Sequence, residues 1–157
     1  MILDEYLNGI KRKYTNIDEK KYKNYYKKKE LMTEYEYIFY KKLKENLKNT
    51  NLEIFAQVNL QAIIGIKPYQ KGQQADRSRI NRKYIDYVIT QENKIICCIE
   101  LDDYTHEKED RIKRDDFINE LFIETNQKII RIKNIKDVDK ISYIIKYEAI
   151  RKQKEVD

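Results

Sequence analysis

The sequence is poor in residues that interrupt regular structure and in residues that bind transition metals. Its 157 residues include only three Gly and one Pro, with no Trp and a single His. The two cysteines, Cys97 and Cys98, are adjacent, so on a strand they would point to opposite faces and a disulfide between them is not expected. Structural zinc usually needs four Cys or His ligands. We therefore interpret both thiols as core residues.

Long apolar segments are also missing. No run of about 18 apolar residues occurs, so no membrane-spanning segment is predicted. Residues 1–5 do not begin the basic-then-apolar order of a signal peptide. From these two absences we expect a cytoplasmic protein without a membrane partner.

Charge is abundant. Charged residues make up 38% of the chain, and the formal net charge is +6. A basic balance favours an anionic partner such as nucleic acid or an anionic membrane surface. Residues 1–30 are rich in Lys and Tyr, and we predict a basic helical extension there, ahead of a domain over residues 31–157. The extension is either a solvated basic face or an arm that contacts nucleic acid.

Hydrophobic periodicity predicts an α/β domain. A helix is expected to begin at Thr33, which stands three residues before Glu36 in capping-box spacing, and to end near Asn49. Its expected core face is Tyr35, Ile38, Phe39, Leu43 and Leu47. Further elements are a strand at 53–60, a long basic loop at 61–80, strands at 83–90 and 94–102 joined by a turn at 91–94, a helix at 109–125, a strand at 128–132 and a helix at 137–152. This order favours one mixed sheet with helices on both faces.

Acidic residues follow the most apolar strand. Residues 95–99 are all apolar, which predicts a strand covered on both faces. Glu100 and Asp102 come next and share one face by the two-residue period. A hairpin turn centred near Asn93 would place Asp86 directly opposite Glu100, with Cβ atoms about 5 Å apart.

Like charges at that separation repel, and partial burial strengthens the repulsion. A bound divalent cation would offset it, because such cations prefer oxygen ligands. A raised pKa on one carboxyl group would also offset it, and so would a neighbouring Lys83 or Arg114. The residues alone leave all three explanations open. His106 follows the acidic cluster and is either a surface or capping residue or a group for proton transfer or metal binding.

In order and spacing, these motifs resemble a known family. The matching stretches are LMTEYE at 31–36, YIDY at 84–87 and IELDDYTH at 99–106, followed by the pair Arg114 and Asp115 and by Arg131. They are similar to a bacterial family of unknown function in the PD-(D/E)XK nuclease superfamily, close to the very-short-patch repair endonucleases. The resemblance covers about residues 25 to 133.

The resemblance implies a restriction-endonuclease-like fold with a mixed central β-sheet flanked by helices. It implies Mg²⁺ or Mn²⁺ held by Asp86, Glu100 and the backbone carbonyl of Leu101. It also suggests Glu36 as an outer carboxylate of the site, whereas the capping box gives that residue a purely structural explanation.

One position departs from the superfamily pattern. A Lys is expected two residues after the second carboxylate, and this chain has Asp102 there. The same departure belongs to the resembled family, so it does not by itself imply an inactive protein. Three residues could take over the role of the Lys: His106, Lys83 and Arg114.

The leading hypothesis is a divalent-metal-dependent endonuclease that hydrolyses phosphodiester bonds, with DNA favoured over RNA. Its catalytic residues would be Asp86, Glu100, Asp102, His106, Glu36 and Arg114. Its nucleic-acid contacts would be Lys83, Arg79, Arg82 and Arg111. The alternatives are a catalytically degenerate nuclease-fold protein that binds nucleic acid, and a structural or protein-interaction domain whose carboxylates are neutralised by Lys and Arg.

Overall fold

The computed structural model describes residues 4, 5, 8, 25–65, 67, 73–102 and 109–154, without the side chains of 73–76 and 109–115. The chain divides into two compact units, Met1–Glu30 and Leu31–Asp157. Most of the predicted basic extension lies outside the described residues. So do His106 and the side chains of Arg111 and Arg114.

The second unit is a mixed α/β domain, as the sequence predicted. Its sheet has the strand order β1-β2-β3-β4, in which β1 and β3 both pair antiparallel with β2, and β4 pairs parallel with β3. The elements are α1 (Glu34–Leu47), β1 (Leu52–Asn59), α2 (Gln73–Asn81), β2 (Tyr84–Gln91), β3 (Lys94–Leu101), α3 (Glu109–Glu124), β4 (Ile129–Ile132) and α4 (Val138–Lys154), with short 3-10 turns at Leu60–Ala62 and Ile135–Asp137.

Two apolar clusters cover the two faces of this sheet. The first joins α1 and α4 to the strands and includes Phe39, Leu43, Tyr87, Cys97, Ile99 and Ile145. The second joins α2 and α3 to the strands and includes Ile80, Val88, Cys98, Ile118 and Phe122. Cys97 and Cys98 are free thiols that lie in different clusters, which confirms that neighbouring strand residues point to opposite faces here.

Two expectations about helices were wrong. Residues 73–81 form α2, although the sequence predicted a loop; its segment QQADRSRIN has almost no apolar periodicity, so the pattern gave no signal. In α1 the residues Tyr35 and Ile38 are 40% and 45% exposed. The buried stripe of α1 is Phe39, Leu43 and Leu47, and Ile38 projects about 100° away from it around the helix.

The hairpin between β2 and β3 turns at residues 91–94, as predicted. Its two central residues, Glu92 and Asn93, have φ angles of 48° and 65°, which a type I′ turn requires. The register then shifts by one residue, since Thr90 pairs with Ile95 whereas Ile89 pairs with Cys97. Ile96 is therefore the extra residue of a β-bulge.

Candidate metal centre

The β-bulge determines which residues face each other beyond it. The pair of the β2–β3 ladder farthest from the turn is Tyr87 with Ile99. Continued by one residue, the same register would set Asp86 opposite Glu100. A regular hairpin closed by the same turn would instead set Ile99 opposite Asp86. Both carboxyl groups are half-buried at one end of the sheet, where β2 begins and β3 ends.

Asp86 is held in a partly desolvated position. The amide N–H of Leu101 donates a hydrogen bond to Asp86 Oδ2 at 2.8 Å. Burial raises the pKa of Asp86 to about 6, against the lowering effect of this hydrogen bond. The charge of Glu36 raises this pKa further, while a hydrogen bond from Gln57 lowers it. The carboxyl group of Glu36 also shares a hydrogen bond with Asp86, which raises the pKa as well. Neither a described cation nor Glu100 is among these influences.

The structure confirms the capping-box interpretation of Glu36 and also shows a contact to Gln57. Its Oε2 accepts a hydrogen bond from the Thr33 amide at 2.5 Å, and Thr33 Oγ1 accepts one from the Glu36 amide at 3.3 Å, which completes the predicted capping box. Its Oε1 accepts a hydrogen bond from Gln57 Nε2 at 3.0 Å. The Tyr87 hydroxyl donates to the Glu36 carbonyl at 2.7 Å and so ties the first turn of α1 to β2.

Gln57 is a member of this cluster that was not predicted from the sequence. It stands in β1 opposite Asp86, between the pairs Ala56 with Tyr87 and Val58 with Ile85. Its φ of 53° lies in the left-handed region, which is uncommon for a residue other than Gly. The only signal in the sequence was one uncharged polar side chain within the apolar run of β1.

Asp102 is neutralised by a basic partner. Arg131 Nη1 lies 3.0 Å from Asp102 Oδ1, and Arg131 Nε donates to Asn119 Oδ1 at 3.2 Å. The third explanation for the acidic cluster, a neighbouring cation, therefore applies to Asp102. As an acid in an ion pair, Asp102 does not itself supply the positive charge of the Lys expected at that position.

The residues predicted to contact nucleic acid have different environments. The guanidinium of Arg79 lies over the ring of Phe117, 3.8 Å from its centre. Arg82 is exposed just beyond α2, and Lys83 is half-buried with its backbone bonded to Leu60 and Ile80. The predicted contacts of Arg111, like the catalytic roles of His106 and Arg114, fall on atoms that the structure does not describe.

The donor atoms near Asp86 suit a hard cation. Glu36 and Asp86 offer carboxylate oxygens and Gln57 an amide oxygen, the ligand types preferred by Mg²⁺ and Mn²⁺. Within the described ranges, no group of three or more His, Cys, Asp or Glu side chains is placed to hold a metal ion. Mg²⁺ usually takes one or two carboxylates and keeps several waters, so Asp86 with one further carboxylate would fit its needs.

Comparison with known proteins places the chain in one family. The family model for DUF2726, described as a protein of unknown function, matches residues 28–150. No curated protein and no solved structure matches the chain. The matched range contains Glu36, Asp86, Glu100 and Asp102, together with Gln57. The chain therefore belongs to the DUF2726 family.

Proposed function

We propose that this protein is a divalent-metal-dependent nuclease that hydrolyses phosphodiester bonds, in DNA rather than RNA, and that its domain is a variant of the restriction-endonuclease-like fold. The observation that supports the proposal is the half-buried Asp86 beside Glu36, without a described cation among the influences on its pKa. The register of β2 and β3, continued by one pair beyond Tyr87 and Ile99, would add Glu100 opposite Asp86. The mixed sheet with helices on both faces is compatible with that fold. The sequence motifs at these same positions supply the link to the PD-(D/E)XK superfamily.

In this proposal each residue has a separate task. Asp86, Glu100 and the backbone carbonyl of Leu101 would hold Mg²⁺ or Mn²⁺, and Glu36 would act from a greater distance. When bound, such a metal ion lowers the pKa of a water molecule and offsets charge on a phosphate. His106 would accept or relay a proton, and Arg114 would stabilise charge that develops on the phosphate.

The net charge of +6 supports an anionic substrate, and the exposed Arg82 is one described residue that could contact its backbone. If Arg79 contacts a phosphate, its guanidinium would do so while it lies over the ring of Phe117. No helix in the described part of the chain is long and apolar enough to cross a membrane. A cytoplasmic location, where nucleic acid is accessible, belongs to the same proposal.

The direct test is a cleavage assay with supercoiled plasmid, linear duplex DNA, single-stranded DNA and RNA. Each substrate is incubated with Mg²⁺, with Mn²⁺ and with chelator. We expect cleavage that requires the metal and that falls at least about 100-fold in Asp86→Ala and Glu100→Ala, because each change removes a metal ligand.

The matched control is Asp139→Ala, which removes an exposed carboxylate that lies at the start of α4 and pairs with Lys42 of α1. Its cleavage rate should equal that of the wild type. Circular dichroism should show that all three variants are folded. Cleavage that persists in both Asp86→Ala and Glu100→Ala would refute the proposed site.

A second function is favoured by one specific observation, the ion pair between Asp102 and Arg131. An ion-paired acid at the position of the expected Lys is compatible with a nuclease fold that binds nucleic acid without cleaving it. In that case the wild type would bind DNA in a gel-shift assay, while no metal would support cleavage of any substrate.

A further inference from the structure

We propose that Gln57 is a positioning residue that holds the Glu36 and Asp86 carboxylates in the arrangement that binds the metal ion. This inference deepens the proposed function and rests on it. It assigns to β1 a part in the site that neither the family match nor the motifs of the sequence indicate.

The hydrogen bonds of Gln57 are the first support. Its Nε2 donates to Glu36 Oε1 at 3.0 Å, and its side chain also bonds with Asp86. An amide NH₂ group carries two donor hydrogens, so one neutral group can bridge two like-charged carboxylates. Glu36 Oε2 accepts the hydrogen bond from the Thr33 amide in the helix cap, and Gln57 binds the other oxygen, Oε1. Both oxygens of the Glu36 carboxylate are therefore held in place.

The backbone of Gln57 is the second support. In a regular strand Ala56 and Val58 would share a face, but Ala56 packs against the first cluster and Val58 against the second. Their partners Tyr87 and Ile85 are divided between the clusters in the same way. Both strands therefore change face at the pair formed by Gln57 and Asp86.

The left-handed φ of Gln57 coincides with this change of face. A residue with a β-carbon is strained in that region, and such strain persists mainly where the surroundings and the function require it. Gly would adopt the same backbone more easily but has no amide to donate. The presence of Gln rather than Gly at this position therefore indicates that the amide side chain itself has a role.

The test is Mn²⁺ affinity, measured by electron paramagnetic resonance without nucleic acid. It compares the wild type with Gln57→Leu, which keeps side-chain bulk, and Gln57→Gly, which relieves the backbone. We expect both variants to bind Mn²⁺ at least about tenfold more weakly, the usual effect of losing a group that orients metal ligands. The melting temperature should be higher for Gln57→Gly than for Gln57→Leu, so affinity and stability should not change together.

Gln153→Leu serves as the matched control, because Gln153 is exposed in the last turn of α4. This variant should bind Mn²⁺ as the wild type does. Wild-type affinity in Gln57→Leu, or an affinity that follows melting temperature across all the variants, would overturn the positioning role.

Asp86→Ala distinguishes a failure of this inference from a failure of the proposed function. If Asp86→Ala abolishes Mn²⁺ binding while Gln57→Leu keeps it, only the role of Gln57 is wrong. If the wild type does not bind Mn²⁺, or if Asp86→Ala binds it as tightly as the wild type, the metal site and the role of Gln57 are both wrong.

Discussion

At the scale of single residues, the pKa of Asp86 indicates that this residue destabilises the folded protein when no metal ion is bound. Burial raises the pKa of Asp86 to about 6, above the 3.8 of an ordinary Asp. Between those pH values the folded chain binds a proton that the unfolded chain has lost. The stability that this proton on Asp86 contributes is thus fully present below about pH 4 and is lost as pH rises through 6. Ionised Asp86 therefore destabilises the metal-free protein at neutral pH.

Replacing Asp86 by Asn should remove this penalty. We expect Asp86→Asn to raise the free energy of unfolding at pH 7 by about 1–2 kcal/mol in the presence of chelator, after allowance for the partial exposure of the group. The gain should vanish at pH 4, where Asp86 is protonated. Urea denaturation at the two pH values measures both quantities.

An exposed acid on α3, Asp116, provides the comparison for that experiment. Asp116→Asn should leave the free energy of unfolding unchanged at either pH. An equal gain from Asp86→Asn at pH 4 and pH 7 would show that the effect does not come from ionisation.

The sequence drew attention to Glu100, because acids that follow a fully apolar strand are unusual enough to require an explanation, and to Asp86, because the expected hairpin sets it opposite Glu100. Gln57 could not be identified in the same way. A single Gln is common at the surface of a strand, and its left-handed φ coincides with a change of face that β1 shares with β2 and that the sequence of β1 alone does not specify. The partner of Asp102 was also not assigned, although Arg131 was among the matched residues.

Among the secondary-structure elements, α1 connects folding to the site through its first turn. Thr33 and Glu36 cap the helix reciprocally, and Glu36 also reaches Gln57. Thr33→Ala should lower the free energy of unfolding by about 1 kcal/mol, because an amide at the helix N-terminus loses its acceptor. Thr33→Ser keeps the hydroxyl and should stay within about 0.5 kcal/mol of the wild type. Equal urea midpoints for Thr33→Ala and Thr33→Ser would contradict a role for the hydroxyl.

The hairpin shows how a predicted register can be reached through a β-bulge that the sequence did not indicate. A turn centred on Asn93 sets Asp86 opposite Glu100. In the structure the centre of the turn lies half a residue earlier, between Glu92 and Asn93, and the bulge at Ile96 restores the same pairing. Glu92 is not a residue type that favours a type I′ turn, and Ile96 is not one that indicates a β-bulge. The earlier centre and the bulge compensate each other, so the ladder as far as Tyr87 and Ile99 has the register that the sequence predicted.

For the whole molecule, the net charge of +6 favours an anionic partner but does not locate a binding surface. The helix that carries Arg77 and Arg79, with Arg82 just beyond its end, was predicted as a loop. Metal binding, in contrast, has a consequence for the entire fold. A ligand that binds only the folded state stabilises it by mass action, by about 2.7 kcal/mol at 100 times its dissociation constant.

We therefore expect Mn²⁺ to raise the melting temperature of the protein by several degrees at pH 7. The increase should be smaller at pH 5, because protons then compete with the metal for Asp86, whose pKa is raised to about 6. Glu100→Gln should abolish the increase at both pH values, whereas Asp139→Asn, on an exposed acid paired with Lys42, should preserve it. Differential scanning calorimetry with and without Mn²⁺ makes the measurement. An increase that Glu100→Gln leaves unchanged would mean that Mn²⁺ stabilises the fold from another place, and the carboxylate pair would then have to be explained by the proton on Asp86 alone.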